Sequence, residues 1–236
     1  MIANVSKVAT LYLAPVLSLT SLILLVLAYT APTIILHSRV SLLVVSPSLG
    51  LTNSSSSQPV DGPTLFLGAL GSCSRPDNKG PVTCTPSTFS AKYDLSALPS
   101  NSPHLLTAPT ATTPVFIAIA LFLSTIFFVT FTMISLRANL GAKLSAMLDR
   151  RALHTASAWL GLLGFMIGLT SFLVIRMWFG KAVEDFNTAI VDGGDNAPPL
   201  IAQISNGFTM VWVAYAFYGV PLVCTLARLH VTAGGK

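Results

Sequence analysis

Residues 114–136 read PVFIAIALFLSTIFFVTFTMISL, and no charge occurs until Arg137. A bilayer core about 30 Å thick needs roughly 20 apolar residues at about 1.5 Å each. The stretch meets that length, and Pro114 suits the first position of a helix, where its missing N–H costs nothing. Three more stretches repeat the pattern, so membrane helices are expected at 8–36, 114–136, 158–179 and 207–227. The first holds Leu22-Ile23-Leu24-Leu25-Val26-Leu27, the third a single charge at Arg176, and the fourth Pro221. Pro221 is expected to kink its helix, with the freed carbonyl satisfied by a neighbouring helix. The whole composition agrees: 13 Lys plus Arg and 8 Asp plus Glu make 9% charged residues, where soluble domains carry about 25%. Hydrophobic residues reach 53% and mean hydropathy is +0.73. So few charges cannot cover a water-soluble surface, which excludes soluble enzymes and nucleic-acid modules. Disorder is excluded as well, because it needs low hydrophobicity and high charge.

The first stretch follows Lys7 and could be a cleaved signal peptide. Its apolar run far exceeds an h-region of about 7–15 residues, and no Ala-x-Ala site follows, so a retained span is the reading. With four spans, the termini at 1–7 and 228–236 share one side. The loop 137–157 holds Arg137, Lys143, Arg150 and Arg151 against Asp149 alone. The loop 180–206 holds Lys181 against Glu184, Asp185, Asp192 and Asp195. Cytosolic loops collect Lys and Arg, so 137–157 and both termini are assigned to the cytosol, and the loops 37–113 and 180–206 to the outside. The formal net charge of +5 then reports orientation rather than an anionic ligand.

The long outer loop 37–113 contains strand candidates at 40–45 and 64–67, with Pro- and Ser-rich stretches around them. Cys73 and Cys84 lie in it and face an oxidising compartment. A disulfide between them would close a short loop and contribute about 3 kcal/mol in the chain-entropy model. Two thiols with no His or further Cys nearby in sequence do not make a zinc site. Cys224, in the fourth span, reads as a small apolar filler. Asn53-Ser54-Ser55 is a glycosylation sequon on the exposed side. Asn4-Val5-Ser6 fits the same pattern but falls on the cytosolic side.

Gly68-Ala69-Leu70-Gly71-Ser72-Cys73, followed by Cys84, is the most specific element. Glycines at 68 and 71 let the backbone pass close to another strand or form a bulge, and hold the following cysteine at a fixed distance from its partner. In the first outer loop of a four-span chain, this element resembles the claudin-like superfamily, and within it the fungal SUR/PalI family of cortical-patch and pH-response membrane proteins. Phe66 to Cys73, Cys84-Thr85-Pro86-Ser87, Tyr93-Asp94-Leu95 and Leu98-Pro99 are similar to that family's outer-loop pattern. Residues 38–113 contain no Trp, so the animal claudin signature, and with it tight-junction behaviour, is not implied. Only about nine residues follow Ala227, where the pH-response members carry a long hydrophilic tail. The expected fold is an all-α transmembrane four-helix bundle with a small disulfide-pinned, β-rich extracellular domain, claudin-like.

Gly161, Gly164 and Gly168 form a small-xxx-small face suited either to a dimer interface or, the favoured reading, to packing inside the bundle. Arg176, about one turn from the outer end of its span, is expected to snorkel into headgroups. Glu184, Asp185, Asp192 and Asp195 lack the ligand ladder of an EF-hand calcium loop and read as a solvated acidic loop. Leu140, Leu144, Met147 and Leu148 share one helical face, with Lys143, Arg150 and Arg151 near another, so 137–157 is either a short in-plane helix on anionic lipid or simply positive-inside bias. The four histidines are scattered, no catalytic motif is present, and no carboxylate lies in a span. The expectation is a non-catalytic plasma-membrane protein without cofactor or metal. Its partners would be the lipid bilayer and lateral protein neighbours or further copies of itself, not nucleic acid or a small-molecule substrate. The resemblance implies organisation of cortical membrane domains in support of cell-wall and stress functions. The alternatives are an accessory role in ambient-pH signalling, or calcium regulation and membrane fusion during mating; a channel or transporter fits less well.

Overall fold

The computed structural model describes residues 12–48, 61–103, 106–137, 141, 145, 147, 148 and 150–233. Four helices and one antiparallel sheet make up its main elements: α1 (Ala14–Thr30), β1 (Leu43–Pro47), β2 (Thr64–Leu67), β3 (Ser72–Arg75), β4 (Thr83–Cys84), α2 (Thr112–Ser135), α3 (Arg151–Gly193), β5 (Leu200–Ile204) and α4 (Asn206–Ala233). Helices α2, α3 and α4 are each long and apolar enough to cross a membrane. Helix α1 has 17 described residues, short of a full span, and residues 8–11 of the expected span 8–36 lie outside the described residues. The chain divides into two compact units, one of residues 1–26, 116–170 and 211–236, the other of 27–115 and 171–210.

The first unit is a helical core to which all four helices contribute. Ala14 of α1, Phe127 and Phe131 of α2, and Tyr218 and Leu222 of α4 are buried together, with Leu162 and Phe165 of α3 packed against them. Ring centroids lie 5.4 Å apart for Phe127–Tyr218 and 5.5 Å for the edge-on pair Phe165–Tyr215, within the favourable range for aromatic pairs. Hydroxyls tie the helices across this core: Ser21 donates to Ala214 O at 2.7 Å, Tyr218 to Gly161 O at 3.1 Å, and Thr130 and Ser157 share a bond of 3.1 Å. Helix α4 runs on through Pro221, and Thr225 donates to the Pro221 carbonyl at 2.8 Å.

The second unit holds the sheet, in the order β4-β3-β2-β1-β5. The central strand β2, Thr-Leu-Phe-Leu, is buried at all four positions, which is why it reads as a continuous apolar run rather than an alternation. Cross-strand neighbours include Val44 and Phe66, Phe66 and Cys73, and Val45 and Ala202. The C-terminal part of α3 turns Phe172, Ile175, Phe179, Phe186 and Ile190 inward at helical spacing.

This unit corrects the sequence reading in two places. Residues 180–206, expected to be an acidic loop, continue α3 to Gly193, pass through a short 3-10 turn at Gly194–Asn196, and form β5. The acids do not prevent the helix, because Lys181 pairs at i+3 and i+4 with Glu184 and Asp185 on the exposed face while Phe186 and Ile190 fill the buried one. At about 1.5 Å per residue, α3 is about 65 Å long, roughly twice a bilayer core. The β-rich region is also not confined to 37–113, since β5 pairs along the whole of β1. At its other end, α3 begins at Arg151, inside the expected basic loop 137–157.

Candidate functional site

The Gly68–Cys84 element sits in the second unit, against the turn that follows α1. Helix α1 stops at Thr30, the Ala31–Pro32 peptide is cis, and the chain doubles back through Leu36, whose φ of +57° is left-handed. Leu36 O accepts from both Arg39 N–H and Val40 N–H, closing the turn. The turn brings His37 to Pro32, with Nδ1 at 2.6 Å from the Pro32 carbonyl oxygen.

Between β2 and β3 the chain reverses at Gly68–Gly71, with Gly68 N–H donating to Gly71 O at 2.9 Å. A Cβ at Gly68 would collide with the Ala31 carbonyl oxygen and Pro32 Cδ. A Cβ at Gly71 would lie 2.6 Å from Thr85 Oγ1 and 2.9 Å from Thr33 Cγ2. Both glycines therefore serve close approach. The backbone approached at Gly68 is the turn after α1, not the neighbouring strand that the sequence suggested. Tyr93 donates to the Gly68 carbonyl at 2.7 Å, and its ring stacks on Phe179 at 6.5 Å between centroids. Burial pushes the Tyr93 phenol well above its ordinary range, so it stays protonated as a donor. Asp94 N–H donates to Ser72 Oγ at 2.9 Å, and Thr85 Oγ1 accepts from Ser72 N–H at 3.0 Å. Hydrogen bonds from the Ser96 side chain and then its backbone N–H hold the Asp94 carboxyl below the usual carboxylate range.

Cys73 and Cys84 are cross-strand partners on β3 and β4 and are joined by a disulfide. Cys73 is 1% exposed, whereas Cys84 lies exposed on the two-residue edge strand β4. His37 Nδ1 stands 3.4 Å from Cys84 Sγ, and the ligand atoms of His37, Cys73 and Cys84 all lie within 4.8 Å of one another. The expectation that no histidine accompanies the cysteines is thereby corrected. The separation of 47 residues between His37 and Cys84 hid the pairing, because only the reversal after α1 closes it. While the sulfurs are bonded to each other they present no thiolate to a metal.

The remaining expected residues lie elsewhere. Asn53 and Lys143 are outside the described residues. Arg137, Arg150 and Arg151 are exposed. Of the proposed apolar face, Met147 is 52% exposed and Leu148 only 3%, so the two do not share one surface, and Leu140 and Leu144 lie outside the described residues. A Cβ at Gly161 would press on the Phe127 ring at 2.7 Å, one at Gly164 on Ser124 Oγ at 3.1 Å, and one at Gly168 would collide with Tyr215 Oη of α4 and press on Ala120 Cβ of α2 at 3.0 Å. Gly161 and Gly164 thus face α2 of the same chain, and Gly168 meets both α4 and α2. Arg176 lies with its guanidinium carbon 5.6 Å from the centre of the Phe208 ring, a cation–π contact. Asn187, not singled out in the sequence, donates to Ala202 O at 2.9 Å and accepts from Ala202 N–H at 2.8 Å, pairing with β5 as a strand would.

A cavity of about 410 Å³ is lined by Leu95, Leu98, Pro99, Pro103 and three serines, with no titratable side chain among the described residues. The arrangement as a whole is a covalently pinned hairpin locked onto the turn after α1, with one sulfur accessible beside an imidazole. No family model and no curated protein matches the sequence.

Proposed function

We propose that this chain is a non-catalytic, multi-pass plasma-membrane protein that organises cortical membrane domains, and supports cell-wall and stress functions, by lateral association. One observation carries the membrane part of the reading: the helices turn apolar bulk outward and hydroxyls inward. Phe122 is 65% exposed, Met166 53%, Met177 75% and Val223 64%, while Ser21, Ser124, Ser157 and Thr225 are buried. A helix facing water shows the opposite arrangement, whereas hydrocarbon solvates the apolar side chains and leaves polar groups to find partners inside. Exposed apolar surface on this scale belongs against lipid or protein. The topology that accompanies the reading has both termini and 137–157 in the cytosol and the pinned sheet outside. The Gly/Cys element and its resemblance to the SUR/PalI pattern support the cortical assignment.

Fluorescence imaging of a tagged copy tests the reading. Static cortical patches are expected. A uniform membrane signal would favour the pH-response accessory role, and a signal confined to mating tips the calcium and membrane-fusion role; either would overturn cortical organisation.

A further inference from the structure

We propose that Cys84 is a thiol-exchange site, at which the Cys73–Cys84 disulfide opens to an external small-molecule thiol while His37 steadies the released sulfur. Cys73 is 1% exposed and Cys84 is exposed, so an incoming thiolate reaches only one of the two sulfurs. His37 Nδ1 lies 2.6 Å from Pro32 O and 3.4 Å from Cys84 Sγ. A carbonyl oxygen only accepts, so Nδ1 carries the hydrogen and donates it to Pro32 O, from where the same N–H can be shared with Cys84 Sγ once that sulfur is a thiolate. Strand β4 joins the sheet through two register pairs, Cys73 with Cys84 and Ser74 with Thr83, so opening the bond frees a short edge hairpin and leaves β1, β2, β3 and β5 paired.

The exchange balances as follows. The thiolate of a first small-molecule thiol attacks Cys84 Sγ and forms a mixed disulfide. The bond to Cys73 breaks, its electron pair goes to Cys73 Sγ, and Cys73 takes up the proton that the attacking thiol gave up. A second thiolate attacks the small-molecule sulfur of the mixed disulfide, releasing Cys84 as a thiolate that the His37 N–H stabilises until it is protonated. Two thiols are oxidised to one small-molecule disulfide, and the protein disulfide is reduced to two cysteines. In reverse, the Cys84 thiolate attacks the small-molecule disulfide to form the mixed disulfide, and the Cys73 thiolate then attacks Cys84 Sγ, closing the bond and releasing the second small-molecule thiol. This inference stands on the pinned hairpin alone and does not depend on the membrane reading.

The full-length protein in mild detergent would be treated with mixtures of reduced and oxidised glutathione, quenched with iodoacetamide, and mapped by peptide mass spectrometry. Glutathione is expected on Cys84 and not on Cys73, in protein that remains folded. His37→Ala, which leaves both cysteines in place, is expected to slow full reduction roughly tenfold, the effect of losing one hydrogen bond to a charged group. Glutathione on Cys73, reduction only after denaturation, or an unchanged rate in His37→Ala would each overturn the proposal. Because adduct position is read on the unaltered protein, the outcome does not hinge on the variant folding.

Discussion

Gly68 and Tyr93 show how much the hairpin depends on single atoms. A Cβ at Gly68 meets the Ala31 carbonyl and the Pro32 ring, neither of which is the free end of a flexible side chain. Gly68→Ala is therefore expected to cost about 1–3 kcal/mol, seen as a lower Tm of the detergent-solubilised protein. Gly219→Ala, with nothing within 4 Å of the new methyl, should leave Tm unchanged or raise it. Tyr93→Phe removes the donor to Gly68 O and is expected to cost about 1–3 kcal/mol, with an accompanying loss of hydrogen-exchange protection at Gly68 and Gly71. Asp94 has its carboxyl held below the ordinary value of 3.8. Its contribution to stability is present above that value and is lost as pH falls through the lowered folded one. Asp94→Asn should lower Tm modestly at neutral pH, converge with the unaltered protein in acid, and so flatten the acid limb of the Tm–pH profile. The two glycines and two cysteines were readable from their spacing, whereas the roles of His37, Thr85 and Tyr93 were not, because their partners lie 47, 13 and 25 residues away.

Among the elements, α3 and β5 depart furthest from the sequence reading. In sequence, 180–206 reads as a loop because it separates the apolar runs ending at Phe179 and beginning at Gly207. Helix period decides otherwise once Phe172, Ile175, Phe179, Phe186 and Ile190 have a surface to cover. Strand β5, Leu-Ile-Ala-Gln-Ile, has a partner in β1 more than 150 residues earlier in the chain, and no local signal specifies such a pairing. Its outer edge is closed by the Asn187 amide, which satisfies both backbone groups of Ala202 and so blocks pairing with another strand. Asn187→Leu leaves both groups without that partner and is expected to cost about 1–3 kcal/mol. Faster amide exchange at Ala202 would be the specific sign, because a general loss of packing would not single out that residue. The three glycines of α3 illustrate the same point on a helix. Their spacing marks a close contact, but only the fold identifies its partners as α2 and, at Gly168, also Tyr215 of α4.

For the molecule as a whole, the disulfide and the basic inner segment carry the remaining predictions. Replacing Cys73 and Cys84 together by Ser removes a cross-link spanning 11 residues in sequence and should lower stability by about 3 kcal/mol, measurable by thermal unfolding under non-reducing conditions. Under the proposed cortical role, reversing Arg137, Lys143, Arg150 and Arg151 to Glu should disperse patches in live-cell imaging, since each basic side chain near anionic lipid contributes about 1 kcal/mol. Unaltered clustering would remove lipid charge from the account. The sequence by itself determined where the apolar helices lie, that a β-rich segment interrupts them, and that Cys73 and Cys84 are suited to pair. These follow from local quantities: run length, residue period and the chemistry of neighbours a few positions away. Only the tertiary structure decided that α3 reaches Gly193, that β5 joins the sheet, that Gly68 lies against the turn after α1, and that His37 meets Cys84. Each of these is a contact between segments distant in the chain, whose formation depends on burying surface against a partner that no local pattern names.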